Sequence, residues 1–185
     1  SALPDRYPYL LDSAAAGPLG EYSLLLRSSG DPLSSHSDGA IYGPGSGDNF
    51  LPRLDSWFQQ EQQSRNDSTD WPFIGGWFVY LGYELAAEIE PVVDFPCATD
   101  GFPVAFASRC PAVIYSVQDQ PDRLYLVAET QALLDRMCGE LGSLQSTPVG
   151  LSNELSHISV DPPESYKQAL ATIHEYILDG DVFQV

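Results

Sequence analysis

The chain has 185 residues, of which 26 are Asp or Glu and 8 are Lys or Arg, so its formal net charge is −18. An excess of negative charge repels nucleic-acid phosphates and anionic membrane surfaces, so we predict no nucleic acid and no membrane as partner. Hydrophobic residues make up 43% of the chain and aromatic residues 11%, which excludes disorder over most of its length. The three sparse cysteines (Cys97, Cys110 and Cys138) favour reduced thiols in a cytoplasmic protein over a disulfide framework or a structural zinc site.

Two strands open the predicted fold. Tyr7–Ser13 and Tyr22–Arg27 are rich in apolar residues, and a turn built on Gly17-Pro18 allows them to pair as a hairpin with a long loop. Residues 28–48 are rich in Ser, Gly, Asp and Pro, which predicts a loop interrupted by a short strand near Ala40–Tyr42.

The next segment alternates helix and strand. Phe50–Gln63 is predicted as a helix with Asp48 as its cap. One face of this helix is apolar and carries Leu51, Leu54, Trp57 and Phe58. Pro72–Tyr83 is the most apolar run and predicts a buried strand, in which Gly75-Gly76 indicates a bulge or a close backbone approach. Glu84–Glu90 predicts a short helix.

The second half of the chain contains the clearest hairpin. Ala112–Val117 and Arg123–Glu129 are predicted strands joined by a polar loop at 118–122, and Phe102–Ser108 is a further candidate strand. Thr130–Leu141 predicts a helix that Thr130 caps. Strands outnumber helices and are joined by short connections, so we predict an α+β fold with an antiparallel sheet and helices packed on it.

We place a domain boundary in the polar segment after the last of these helices. The predicted organisation is a domain at 1–142, a linker at 143–161 and the start of a second domain at 162–185. In the latter, an amphipathic helix runs over 162–179 and stops at Gly180. Asp181–Val185 begins an apolar strand, so we expect the chain to be the front part of a longer protein.

No residue pattern in the chain predicts catalysis on its own. The glycine cluster at 43–47 lacks the lysine and preceding strand of a phosphate loop, and the three histidines are far apart. One acidic group has two interpretations, a cation site or a solvated face, of which the solvated face is favoured. Its members are Glu84, Glu88, Glu90 and Asp94.

Three stretches together resemble a known enzyme family. They are Leu10-Leu11-Asp12-Ser13, then Pro72-Phe73-Ile74-Gly75-Gly76 with Leu81-Gly82-Tyr83-Glu84-Leu85, and finally Tyr166–Val185 with Gly180-Asp181-Val182-Phe183-Gln184-Val185. Their order and separations are similar to those of the chorismate-utilising large subunits (component I) of anthranilate synthase and aminodeoxychorismate synthase. Gly82–Pro91 and Asp12 in the first motif favour the aminodeoxychorismate branch, whereas Val79 departs from the glycine found in many members.

The resemblance implies a fold and an activity. The fold is the front part of a layered structure with a sandwich-like core of antiparallel sheets and helices outside. The parent enzyme converts chorismate and ammonia, supplied by a glutamine amidotransferase subunit, into 4-amino-4-deoxychorismate for the synthesis of 4-aminobenzoate and folate. It requires Mg²⁺, and the metal ligands and the catalytic residues are expected beyond Val185. The chain alone is therefore expected to be inactive.

The same resemblance implies one small-molecule site in this chain. The positions that match the family's tryptophan pocket are Ser13, Leu19, Gly20, Glu21 and Tyr22. Chemically, a hydroxyl and exposed backbone groups suit an amino acid's charged ends, and apolar neighbours suit its indole. The alternative for Ser13 is that it caps a turn.

Two other functions stay open. One is anthranilate synthase component I with tryptophan as feedback inhibitor. The other is a non-catalytic module that binds an amino acid or docks a partner.

Overall fold

The structure is a computed structural model and describes residues 3–13, 17, 20–62, 71–92, 101–144, 159–160 and 162–182. Its contacts divide the chain into two compact units, Ser1–Gln145 and Ser146–Val185. The predicted linker at 143–161 lies mostly outside the described residues, so the domain boundaries derived from the sequence stay a prediction. No described helix has the length and apolar character needed to cross a lipid bilayer.

Eight antiparallel strands of the first unit form two sheets. Sheet I has the order β1-β2-β7-β8, and its strands are β1 Tyr9–Leu11, β2 Tyr22–Arg27, β7 Ala112–Val117 and β8 Gln120–Ala128. Sheet II has the order β4-β3-β6-β5, and its strands are β3 Leu33–Ser35, β4 Ile41–Tyr42, β5 Gly76–Leu81 and β6 Ala105–Cys110. The chain passes from sheet II to sheet I at Pro111, which is the only residue between β6 and β7.

The described part of this unit also contains three helices and one 3-10 turn. The helices are α1 Phe50–Glu61, α2 Ala86–Ile89 and α3 Gln131–Gly142, and the 3-10 turn covers Tyr83–Leu85. Thr130 caps α3 as predicted, because its hydroxyl accepts a hydrogen bond from the Leu133 amide. Asp48 is not the cap of α1: the N-cap residue is Asn49, and its side chain makes no capping hydrogen bond in the described part of the chain.

The strand alternation divides the core into three clusters. On sheet I, one face packs on α3 through Ala112, Ile114 and Met137, with Leu25 and Leu126 beside them. The opposite face carries Leu26, Val113 and Tyr115 together with Phe78 and Cys110 of sheet II, so the two sheets pack on each other. The outer face of sheet II packs on α1 through a third cluster whose buried members are Leu33, Phe50, Trp57, Leu85, Ala105 and Ala107.

The layer order is therefore α3, sheet I, sheet II, α1. This arrangement confirms the predicted α+β class and the sandwich-like antiparallel core with helices outside. The central strands of sheet I, β2 and β7, carry apolar residues on both faces because both faces are covered.

Several element boundaries differ from the sequence prediction. Residues 28–48, predicted as loop with one strand, contain the additional strand β3, which pairs with both β4 and β6. The hairpin of β7 and β8 is tighter than predicted, because Gln120 already pairs with Val117. The predicted strand at 72–83 begins at Gly76, and its register against β6 is regular, so the Gly-Gly pair forms no bulge.

The second unit contains α4, Pro163–Asp179. Gly180 ends this helix in the left-handed conformation, with φ +80°, as the sequence predicts. The amides of Asp181 and Val182 donate to the carbonyl of Tyr176, so these two residues close the helix and do not begin a strand. Residues 183–185 of the predicted strand lie outside the described residues.

Candidate functional site

The predicted amino-acid site lies where β1 ends and β2 begins. The Ser13 amide donates to Ser23 Oγ at 3.1 Å, and the Ser23 hydroxyl donates to Asp12 Oδ1 at 2.7 Å. This network joins the first motif to β2 and holds Ser13 beside the start of that strand. Ser23, which the sequence analysis did not single out, is thus the residue that positions Ser13.

The other predicted positions are brought to the same end of sheet I. The Gly20 amide donates to the Gly17 carbonyl at 3.0 Å, and the Glu21 carbonyl accepts from the Gln118 amide at 2.9 Å. These two backbone groups already have hydrogen-bond partners within the chain, so a ligand at this site would have to bind other polar groups. Leu19 lies outside the described residues, and the assignment of the site stays a prediction.

An aromatic group beside Tyr22 was not predicted as part of the site. Tyr22 contacts the edge of Tyr115, with ring centroids 6.0 Å apart, and Tyr115 stacks on Tyr125 at 5.0 Å. Trp71 lies against both, and about half of its surface is exposed. Burial, and then the neighbouring Tyr125, raise the pKa of Tyr115, so its phenol is neutral at physiological pH. The signal in the sequence was the pairing of two tyrosines across the predicted hairpin.

A second constellation surrounds the Gly75-Gly76 pair. Arg109 of β6 is buried and donates through Nη2 to both carboxylate oxygens of Glu129, at 2.5 and 2.7 Å, and through Nη1 to the Gly76 carbonyl at 2.9 Å. The Arg109 guanidinium also lies 5.7 Å from the ring centre of Trp77. This ion pair joins the end of sheet II to the residue that follows β8.

Gly75 makes this arrangement possible. Its φ is +116°, and a Cβ atom there would lie 2.6 Å from Glu129 Cγ. The close backbone approach that the Gly-Gly pair predicted is therefore confirmed, with Glu129 as the side chain approached.

The same region contains two adjoining open pockets. The first, of about 280 Å³, is lined by Phe58, Glu61, Gln62, Gly75-Gly76, Trp77, Arg109 and Glu129. The second, of about 380 Å³, lies between α1 and β5 and is lined by Leu51, Leu54, Asp55, Phe58, Trp77 and Val79. Phe58 and Trp77 line both, so the pocket that contains the charged residues adjoins an apolar one.

One member of the acidic group found in the sequence, Glu88, has a structural role. The Glu88 carboxylate accepts hydrogen bonds from the Phe50 amide at 3.1 Å and the Leu51 amide at 2.7 Å, so it caps the N-terminus of α1 from a distant part of the chain. Asp94 lies outside the described residues. Among the described residues, no group of three acidic, His or Cys side chains is placed to hold a metal ion.

The comparisons with known proteins bear on the fold. No family model matches this sequence, and no curated protein matches it. The crystal structure of anthranilate synthase component I from Streptococcus pneumoniae TIGR4 is similar, with a TM-score of 0.55 and 16% sequence identity. The likeness covers 90% of this chain and 40% of that chain. It establishes a shared fold, and this chain spans less than half the length of that neighbour.

Proposed function

We propose that this chain is the front portion of an aminodeoxychorismate synthase component I. In this proposal the whole enzyme converts chorismate and ammonia into 4-amino-4-deoxychorismate, and a glutamine amidotransferase subunit supplies the ammonia. The stretch described here provides scaffold and one half of a tryptophan-binding site.

The observation that carries the proposal is the fold shared with anthranilate synthase component I over 90% of the chain. The three motifs support the same family independently, because they occur in the family's order. The choice of the aminodeoxychorismate branch rests on Gly82–Pro91 and on Asp12 alone.

We assign no catalytic residue within the described part of the chain. Lys167, the sole lysine of the sequence, is exposed and forms an ion pair with Glu164 of the same helix at 3.0 Å. The magnesium ligands implied by the family are likewise not assigned to this stretch. Chorismate carries two carboxylates, so a bound Mg²⁺ would supply charge neutralisation there.

The test uses the full-length protein with chorismate, Mg²⁺ and ammonium. We expect no anthranilate fluorescence, and release of pyruvate and 4-aminobenzoate only after aminodeoxychorismate lyase is added. Glutamine replaces ammonium in a second series, with and without the candidate amidotransferase subunit. Omission of Mg²⁺ is the control for the metal requirement.

The same assay separates the second candidate, anthranilate synthase component I with tryptophan as feedback inhibitor. Anthranilate and pyruvate formed without the lyase would refute the aminodeoxychorismate assignment. Absence of any chorismate turnover by the full-length protein would refute both enzymes and leave a non-catalytic binding module.

A further inference from the structure

The pocket around Arg109 contains a buried donor without an acceptor. The Arg109 side chain is 7% exposed, and its Nε–H has no hydrogen-bond partner among the described residues. The nearest carboxylate on that side is Glu61 Oε2, 3.6 Å from Nε, which is too long for a hydrogen bond. A buried N–H without an acceptor is destabilising, so an acceptor that reaches it is favoured on binding.

The charges around this donor restrict what the acceptor can be. Glu129 already neutralises Arg109, and Glu61 adds a second carboxylate whose side chain is 42% exposed at the end of α1. A simple anion would place a third negative charge around one guanidinium. A simple cation would leave the Nε–H unsatisfied. A ligand with a carboxylate and an ammonium group supplies the acceptor for the Nε–H and also compensates the added negative charge.

The adjoining pocket indicates the rest of the ligand. It is lined mainly by apolar side chains, and Phe58 and Trp77 line both this pocket and the one that contains Arg109. An apolar group attached to the charged end would lie along these two rings. Neither pocket shares a lining residue with the predicted site at Ser13.

We propose that the two pockets together bind an α-amino acid with an apolar side chain. The ligand carboxylate accepts the Arg109 Nε–H, Glu61 turns outward to pair with the ligand ammonium, and the side chain lies between α1 and β5. This site is distinct from the predicted tryptophan site, and the proposal does not depend on the chorismate activity.

The test is calorimetric titration of the full-length protein with three probes of similar size. L-Phenylalanine carries both charges, 3-phenylpropionate lacks the ammonium, and 2-phenylethylamine lacks the carboxylate. We expect L-phenylalanine to bind at millimolar concentration or below, and each analogue to bind at least about tenfold more weakly, because each loses one charge-assisted contact.

Variants show where the probe binds. Glu61→Gln should weaken the binding of L-phenylalanine about tenfold, since the ammonium loses its partner, and should strengthen the binding of 3-phenylpropionate, since a carboxylate that repels this anion is removed. Phe58→Ala should weaken the binding of both L-phenylalanine and 3-phenylpropionate. Asp135→Asn, on α3 at the opposite layer, is the matched control that removes an exposed carboxylate and should change nothing.

Three results would overturn the proposal. They are absence of L-phenylalanine binding at millimolar concentration, equal binding of all three probes, or L-phenylalanine binding that Glu61→Gln leaves unchanged. The last result would move the amino acid to another site, such as the one at Ser13.

Discussion

Replacement of Gly75 by alanine tests the close approach on which the Arg109 constellation depends. With φ at +116°, an alanine is strained at this position, at a cost on the order of 1–2 kcal/mol. Its Cβ would also lie 2.6 Å from Glu129 Cγ and 2.7 Å from Cδ, so the Glu129 side chain must move. Movement of Glu129 leaves Arg109 buried and without its main counter-ion, and breaking a buried pair costs about 3–5 kcal/mol.

Relaxation of Glu129 recovers part of that cost, so we expect Gly75→Ala to lower the free energy of unfolding by about 3–5 kcal/mol in total. The assay is urea unfolding followed by tryptophan fluorescence. Gly17→Ala is the matched control, because Gly17 has nearly the same φ, +112°, and no described atom within 4 Å of the added Cβ. It should cost only the backbone strain, about 1–2 kcal/mol.

A double substitution separates the two contributions. In a Glu129→Ala background the contact with the new Cβ is absent, so Gly75→Ala should cost no more than Gly17→Ala does in the wild type. Equal destabilisation by Gly75→Ala and Gly17→Ala in the wild-type background would refute the reasoning, because the cost would then be backbone strain alone.

Three further predictions concern single side chains. Glu88→Gln should lower the free energy of unfolding by about 1 kcal/mol, since it removes the charge that caps α1, and the exposed Glu90→Gln should not. Glu140 of α3 accepts a hydrogen bond from the Tyr7 hydroxyl at 2.9 Å and forms ion pairs with Arg27 and Arg6. Burial raises the pKa of its carboxyl, but the Tyr7 hydrogen bond and the two arginine charges outweigh burial, so the folded pKa is lowered. The stabilisation by Glu140 is therefore present at neutral pH and lost as the pH falls through the folded pKa, and the stability difference from Glu140→Gln should shrink in acid titrations. Burial raises the pKa of Cys110 to about 11, so a thiol reagent at pH 8 should label the exposed Cys138 first and Cys110 only in denaturant, as mass spectrometry would show.

Local patterns predicted the strands whose sequences form a clear apolar run. Tyr22–Arg27 and Ala112–Val117 have the predicted bounds, because apolar residues on both faces of a covered strand form an uninterrupted run. The strand β3 could not be predicted in this way. Leu33 is fully buried, but its neighbours are small and polar, and the strand exists because β4 and β6 pair with it on both sides.

For the candidate sites, the sequence indicated which residues are unusual but not which distant residues they contact. The Gly75-Gly76 pair indicated a close approach, but the residue approached is 54 positions further along the chain. In the same way, the acidic group indicated charge on a short helix, whereas the use of Glu88 as a cap depends on packing of that helix against the start of α1. Patterns in a single sequence show which residues are unusual, whereas the contacts of those residues depend on the tertiary fold.

The unsatisfied Nε–H of Arg109 supports the proposed ligand site. A buried ion pair is weak support for stability, because desolvation offsets most of its attraction, and a structural pair gains from having every donor satisfied. Arg109 meets this condition at Nη1 and Nη2 and fails it at Nε, where the Glu61 carboxylate, at 3.6 Å, is too distant for a hydrogen bond. Arg109, the partly exposed Glu61 and the rings of Phe58 and Trp77 line one pocket, and this coincidence supports the proposed ligand site.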